Sequence, residues 1–305
     1  MLLNKSSLLT DVLIIFCGLI INTLSGCIQD VELDLSAKNH EYVLNCILNT
    51  QTDKITAVLT KTKSITDGRK SFDTVKNAEI VLFENGERLG SFSFSGSDNY
   101  FLTHKPKPGK SYRLEAKTGN NKIWGETTVP KTVNGNIEKL PSSLEGYQVS
   151  FEDNRDEDNF YWVSATGYEQ MQDTTQKDTI VLYKRKNIAG IIFSSFEYAD
   201  DFNRYTGEHG SYKFEYDYYI RFSDSQLPDG VIRVKFRPMV GSSPELFFLS
   251  TDYHLDKYMK SSILTERMEI FAEDMPIMYA PVPIYSNIHG GTGIFGSFTG
   301  ISKEF

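Results

Sequence analysis

Apolar and polar residues alternate with a period of two through most of this chain. Tyr42-Val43-Leu44-Asn45-Cys46-Ile47-Leu48 opens the pattern, and Glu41–Asn49 and Lys54–Ser64 read as two strands parted by the polar turn Thr50-Gln51-Thr52-Asp53. Asn77–Glu84 is a third strand. Asn85-Gly86 follows it, the strongest two-residue hairpin signal because both turn positions must accept positive φ. Leu89–Phe94 returns, Asn99–Thr103 is short and aromatic, and Lys107-Pro108-Gly109-Lys110 turns into Ser111–Lys117. There Tyr112, Leu114 and Ala116 share one face. After Asn120-Asn121, Ile123–Val129 closes the set. Seven short strands about ten residues apart predict an antiparallel, immunoglobulin-like sandwich over residues 41–130.

Residues 131–145, with Asn134-Gly135-Asn136 and Pro141, read as a linker. Beyond them, 146–305 is expected to form a second, larger antiparallel β domain carrying one or two helices, so the fold class is mainly β. Its expected strands are Gly146–Glu152, Asn159–Gly167, Thr179–Arg185, Ile191–Phe196, Tyr212–Phe222 and Val231–Pro238. Ser242-Ser243-Pro244-Glu245 offers a cap, an early Pro and an early acid, predicting a helix near 244–260. Ile263–Phe271 reads as a further helical or strand segment. The chain closes on a Gly-rich stretch, Ile288-His289-Gly290-Gly291-Thr292-Gly293-Ile294-Phe295-Gly296, and a final strand.

The N-terminus departs from this pattern. Val12–Ile21 is an apolar run of the length found in secretory signals, and too short for a spanning helix, which needs about 20 apolar residues. Leu24-Ser25-Gly26-Cys27 follows it and looks like a bacterial lipobox. Residues 1–26 are then a lipoprotein signal peptide, Cys27 is the lipidation site, and 27–40 is an acidic tether bearing Asp30, Glu32 and Asp34. Acids immediately after the lipid site resemble surface-export signals of some Gram-negative lipoproteins, which favours the cell-surface side over the periplasmic side.

The formal net charge of −8 argues against a nucleic-acid surface. Of three cysteines, Cys17 lies in the signal and Cys27 is the lipid site, which leaves Cys46 as a small buried hydrophobe rather than a nucleophile. About 280 residues without an intramolecular disulfide must be held by core packing. The 20 Phe and 17 Tyr provide the material.

No constellation of catalytic residues outweighs its structural explanation, and no cofactor or metal site is expected. Gly290–Gly296 lacks the Lys-Ser/Thr of a phosphate loop, so tight backbone packing is the better reading. The acid loop 152–158 breaks the EF-hand alternation at Phe160, which favours a solvated turn over a calcium site. The histidines, His40, His104, His209, His254 and His289, are scattered. Trp124, Trp162 and the stripe Tyr212, Phe214, Tyr216, Tyr218 suit a core better than a sugar platform.

Four features together resemble one family. They are the lipobox, Asn77–Glu87 with Lys107–Ala116, the acid loop before Asn159-Phe160-Tyr161-Trp162-Val163, and above all Pro281–Gly296. The chain resembles the domain-of-unknown-function 4249 lipoproteins of Bacteroidota across essentially its whole mature length. That resemblance implies an outer-membrane lipoprotein, often encoded beside a TonB-dependent transporter, and brings no established catalytic residues.

The expected function is therefore non-enzymatic. An outer-membrane, lipid-anchored accessory or ligand-capture partner of an outer-membrane β-barrel, a TonB-dependent transporter, is the leading expectation, with a small-molecule ligand allowed for. The alternative is a structural subunit of an outer-membrane protein assembly or export complex. A hydrolase with a site near His254 or the acid loop is the third reading.

Overall fold

Among the described residues, twenty-one strands and one helix carry the alternation into three dimensions. The computed structural model describes residues 41–63, 72–141, 146–173, 181–193, 208–209, 212–213, 216–217, 219–223, 227–228, 230–239, 244–274 and 283–305. The N-terminal strands are β1 (Tyr42–Asn49), β2 (Lys54–Lys61), β3 (Asp73–Thr74), β4 (Glu79–Glu84), β5 (Glu87–Ser91), β6 (Ser93–Phe94), β7 (Tyr100–Thr103), β8 (Ser111–Thr118) and β9 (Asn121–Thr128). Next come β10 (Gly135–Lys139), β11 (Tyr147–Glu152), β12 (Phe160–Asp173), β13 (Val181–Ala189) and β14 (Ile191–Phe193). Four short strands follow: β15 (Glu208–His209), β16 (Tyr212–Lys213), β17 (Tyr216–Asp217) and β18 (Tyr219–Ser223). The C-terminal part holds β19 (Val231–Pro238), β20 (Glu245–Thr251), the helix α1 (Tyr253–Asp274) and β21 (Thr292–Glu304).

A ten-stranded sheet runs β13-β12-β20-β21-β1-β2-β7-β6, with β18 added to β12 and β3 to β2. A four-stranded sheet, β5-β4-β8-β9, covers the half of it around β1 and β2. Between them lie Leu44, Cys46, Leu48, Ile55, Ala57 and Leu59 from one side and Ile80, Leu82, Tyr112, Leu114 and Ala116 from the other. This is the sandwich that alternation implies, and Asn85 (φ 51°) and Gly86 (φ 87°) make the expected positive-φ hairpin. A five-stranded sheet, β10-β11-β19-β14-β17, covers the other half, enclosing Val149, Phe151, Tyr161, Val163, Val234, Leu246 and Phe248. The fold is mainly β and overwhelmingly antiparallel, as the sequence implies.

Among the described residues one pairing is parallel. β21 lies beside β1 from Val43↔Thr292 to Asn49↔Phe298 and pairs antiparallel with β20 on its other side. Phe295 enters the first core and Ile301 packs against the second, so both small sheets stack on the same face of the large one. Residues of opposite parity face α1, and Gly296 is the clearest case: a Cβ there would stand 2.8 Å from Leu255 Cβ. Gly293, at φ 117°, has its backbone against Leu44 O, where any side chain would overlap. The Gly-rich closing stretch is thus a keystone of backbone contacts, as its lack of phosphate-loop spacing suggests.

The structure corrects three local readings. Glu245–Thr251, expected within a helix near 244–260, is the central strand β20. Its alternately buried Leu246, Phe248 and Ser250 fill a slot between β12 and β21, and that pairing overrides the cap-like Ser242–Glu245 signal. The helix starts at Tyr253 and absorbs Ile263–Phe271. The stretch 131–145 contains β10, paired along all five residues with β11. Tyr212–Phe222 is divided among β16, β17 and β18, two of them only two residues long.

Candidate functional site

The first turn of α1 is where the two stacked layers and the helix meet, and two aspartates hold it. Asp252 caps the helix: its Oδ1 accepts Leu255 N–H at 3.0 Å and Ser297 N–H at 2.9 Å. Its Oδ2 accepts the Thr127 hydroxyl of β9 at 2.7 Å. One carboxylate therefore joins α1, β21 and the four-stranded sheet. It is 8% exposed, and burial outweighs the hydrogen bonds from Thr127, Ser297 and Leu255 and the nearby His254, so its pKa is raised.

Asp256, one turn on, faces the opposite side of the large sheet. It accepts both Nε and Nη2 of Arg221 (β18), at 2.6 and 2.7 Å, and Trp162 Nε1 (β12) at 3.0 Å. The pair is buried, 5% and 4% exposed at the side chains. Both carboxylates are thereby committed to architecture.

An open cleft of about 690 Å³ lies beside this junction. Its floor is the outward row of β8 and β9, its far wall the Asn85-Gly86 turn, and its near wall His254. Alternation puts Tyr112, Leu114 and Thr127 inward and leaves Ser111, Arg113, Glu115, Glu126 and Thr128 outward around the ring of Phe83. Arg113 Nε donates to Glu115 Oε1 at 2.7 Å and Nη1 to Glu126 Oε1 at 3.1 Å. Burial disfavours the Glu115 charge, but hydrogen bonds from Lys122 and Arg113 outweigh it and hold its pKa below the usual value. The hydroxyls of Ser111 and Thr128 stand 2.9 Å apart. His254 Nδ1 lies 2.7 Å from Tyr285 Oη with the rings stacked, and the Lys257 ammonium sits 4.5 Å from the Tyr253 ring.

The residues singled out from sequence fall as follows. Cys27, the expected lipidation site, and His40 lie outside the described residues, as do the signal and the tether. Cys46 is 2% exposed in the first core, and burial pushes its thiol pKa far up, as befits a packed hydrophobe. The side chains of His209 and of the stripe Tyr212–Tyr218 lie outside the described set.

Trp162 is buried on Asp256, while Trp124 is covered by the His289 ring at 4.0 Å and by the Arg113 guanidinium at 4.0 Å. His104 packs on Tyr112 near Glu84. The acid loop is internally tied. Asp153 accepts the Tyr161 hydroxyl at 2.7 Å, Glu157 accepts Lys131 N–H at 2.9 Å, and Asn159 Nδ2 donates to the Asn154 and Glu157 carbonyls. Among the described residues no three His, Cys, Asp or Glu converge as a metal cage.

Sequence reasoning found His254 but missed Asp252, Asp256, Arg113 and Glu126. The one local signal was Asp252 followed by Leu255 and Asp256, a capping pattern outcompeted by Ser242–Glu245.

Comparison with known proteins adds the family. No curated protein matches the chain. Two solved structures are distantly similar. One, from Corynebacterium diphtheriae, is described as a membrane anchored protein; it is 13% identical, with 70% of this chain and 54% of that chain covered at a TM-score of 0.20. The other is a DUF4785 family protein from Legionella pneumophila, 13% identical, with 69% and 52% covered at a TM-score of 0.22. The chain spans about half the length of these structures, and likenesses this distant bear on neither fold nor function. The family of domains of unknown function designated DUF4249 matches residues 28–304, nearly the whole of the chain beyond Cys27, and the protein belongs to it.

Proposed function

We propose that this protein is a lipid-anchored, non-enzymatic accessory of the outer membrane, working with a β-barrel of the TonB-dependent transporter kind in ligand capture or gating. The observation that carries the reading is Leu24-Ser25-Gly26-Cys27 after an apolar run, with the family domain beginning at residue 28, directly after the expected lipid site. Among the described residues no helix is long and apolar enough to cross a membrane. In this reading attachment rests on acyl chains, each buried methylene worth about 0.8 kcal/mol, with two or more chains needed for stable anchoring. The acids after Cys27 favour the cell-surface side. The commitment of Asp252 and Asp256 to architecture supports a body that presents surface rather than chemistry.

Three measurements test this. Cys27→Ser should move the protein from the membrane to the soluble fraction without changing its unfolding midpoint; an unchanged membrane fraction overturns the anchor. Mild detergent extraction followed by affinity capture should recover a β-barrel, and deletion should reduce uptake of a transported solute. Intact uptake with altered outer-membrane protein content would favour an assembly or export subunit instead.

A further inference from the structure

We infer that the cleft between the outward face of β8 and β9 and the first turn of α1 is a binding site for a neutral, polyhydroxylated ligand of the saccharide class. This rests on the ligand-capture part of the proposed function and names the ligand that part requires. Four observations converge on it.

The first is size. About 690 Å³ lies within the range of small-ligand clefts, roughly 300–1,000 Å³, and suits two or three sugar rings. The second is charge. Arg113 is matched by Glu115 and Glu126, so the lining has no surplus of positive charge to hold a phosphate or carboxylate.

The third is the pattern of hydrogen-bonding capacity. Arg113 Nη2 and His254 Nε2 have no hydrogen-bond partner among the described residues. Both side chains line the same cleft as Glu126 and the Ser111–Thr128 hydroxyl pair. Donors and acceptors set side by side suit hydroxyl groups, each of which donates one hydrogen bond and accepts others. The Phe83 ring in the same lining offers an apolar surface to the C–H face of a ring.

The fourth excludes the obvious competitor. A peptide adding itself as a strand needs an unpaired edge. Here β8 is paired on both sides, with β4 and β9, and the outer edge of β9 is taken up by His289 on Trp124, Asn287 on the Glu126 carbonyl and Ser297 on the Thr128 carbonyl.

The test uses the detergent-extracted full-length lipoprotein on an array of neutral, acidic and amino oligosaccharides. The strongest neutral binder is then titrated calorimetrically. Binding of a neutral oligosaccharide is expected, weakened at least about tenfold by Glu126→Gln and by His254→Ala. Arg233→Ala, on the far β19, should leave it unchanged. An array without a bound neutral glycan, binding confined to acidic or amino glycans, or affinity untouched in both cleft variants would each overturn the inference. Barrel capture is measured separately, so an empty array with a recovered barrel removes the saccharide and leaves the accessory role standing.

Discussion

Asp252 and Asp256 sit one helical turn apart, both are buried, and they solve the same problem in opposite ways. Asp256 meets a full positive charge, the Arg221 guanidinium, in a bidentate fork. Asp252 meets only dipoles: the Leu255 and Ser297 amides, the Thr127 hydroxyl and the positive end of the helix. The first arrangement binds α1 to the strands on one side of the large sheet. The second binds α1 to β21 and, through Thr127, to the small sheet that carries the cleft. A buried charge matched by a charge becomes expensive when either half is removed. A buried charge matched by dipoles degrades by degrees, and it can lose its charge instead.

The largest expected effect follows from that asymmetry. Asp256→Ala strands the Arg221 guanidinium in a dry site and should cost about 3–5 kcal/mol. The double variant Arg221→Met, Asp256→Leu should recover most of the loss, because the desolvation penalty disappears with the pair. Urea midpoints at constant m-value measure both. A double variant as unstable as the single would mean that the pair contributes net stability rather than compensation.

Asp252→Ala comes next, at about 2–3 kcal/mol, from a lost helix cap and from the buried Ser297 N–H left without an acceptor. Its distinguishing sign is spatial. Hydrogen exchange should rise at β9 and at the start of α1, while the core around Phe248 stays protected. Uniform loss of protection would show that the two aspartates serve one joint and not two. Trp162→Phe, which removes a single N–H donor from Asp256 and leaves Arg221 in place, should cost less, about 1–2 kcal/mol by the same denaturation assay.

How far the sequence foretold these features depends on where their partners lie along the chain. The first sandwich was legible because its signals are local. Tyr112, Leu114 and Ala116 alternate within one strand, and Asn85-Gly86 fixes its own turn. β20 was not, since Leu246, Leu249 and Tyr253 fit a helical spacing until β12 and β21 claim the segment from 80 residues upstream and 50 downstream, roughly. The parallel pairing of β1 with β21 joins the two ends of the folded body, and no local pattern encodes it. The cleft is hidden for the same reason. Arg113 and Glu126 read as an ordinary solvated strand face, and His254 as a lone histidine, until Thr127 and Asp252 bring β9 to the helix. The proposed lipid site at Cys27 is the converse case, read wholly from consecutive residues.

The smallest effect is the most discriminating, because only a carboxylate held by dipoles should show it. Burial raises the Asp252 pKa from its ordinary value of 3.8, with the hydrogen bonds from Thr127, Ser297 and Leu255 pulling the other way. A raised folded-state pKa means that the unfolded chain gives up this proton first as the pH climbs. The contribution of Asp252 to stability is therefore complete below pH 3.8 and is lost as the pH passes through the higher folded value. This is the reverse of ordinary carboxylate behaviour, so the wild-type curve alone would bury it under the other acids. Subtracting the curve of Asp252→Asn cancels them, since the remaining groups are common to both proteins. The stability advantage of the wild type over Asp252→Asn should be greatest at the acid end and shrink steadily towards neutrality. Urea titrations of both proteins at half-unit pH steps read the difference directly. An advantage that grew with pH would place the folded pKa below 3.8, and Asp252 would then be as firmly ionised by its dipoles as Asp256 is matched by its arginine.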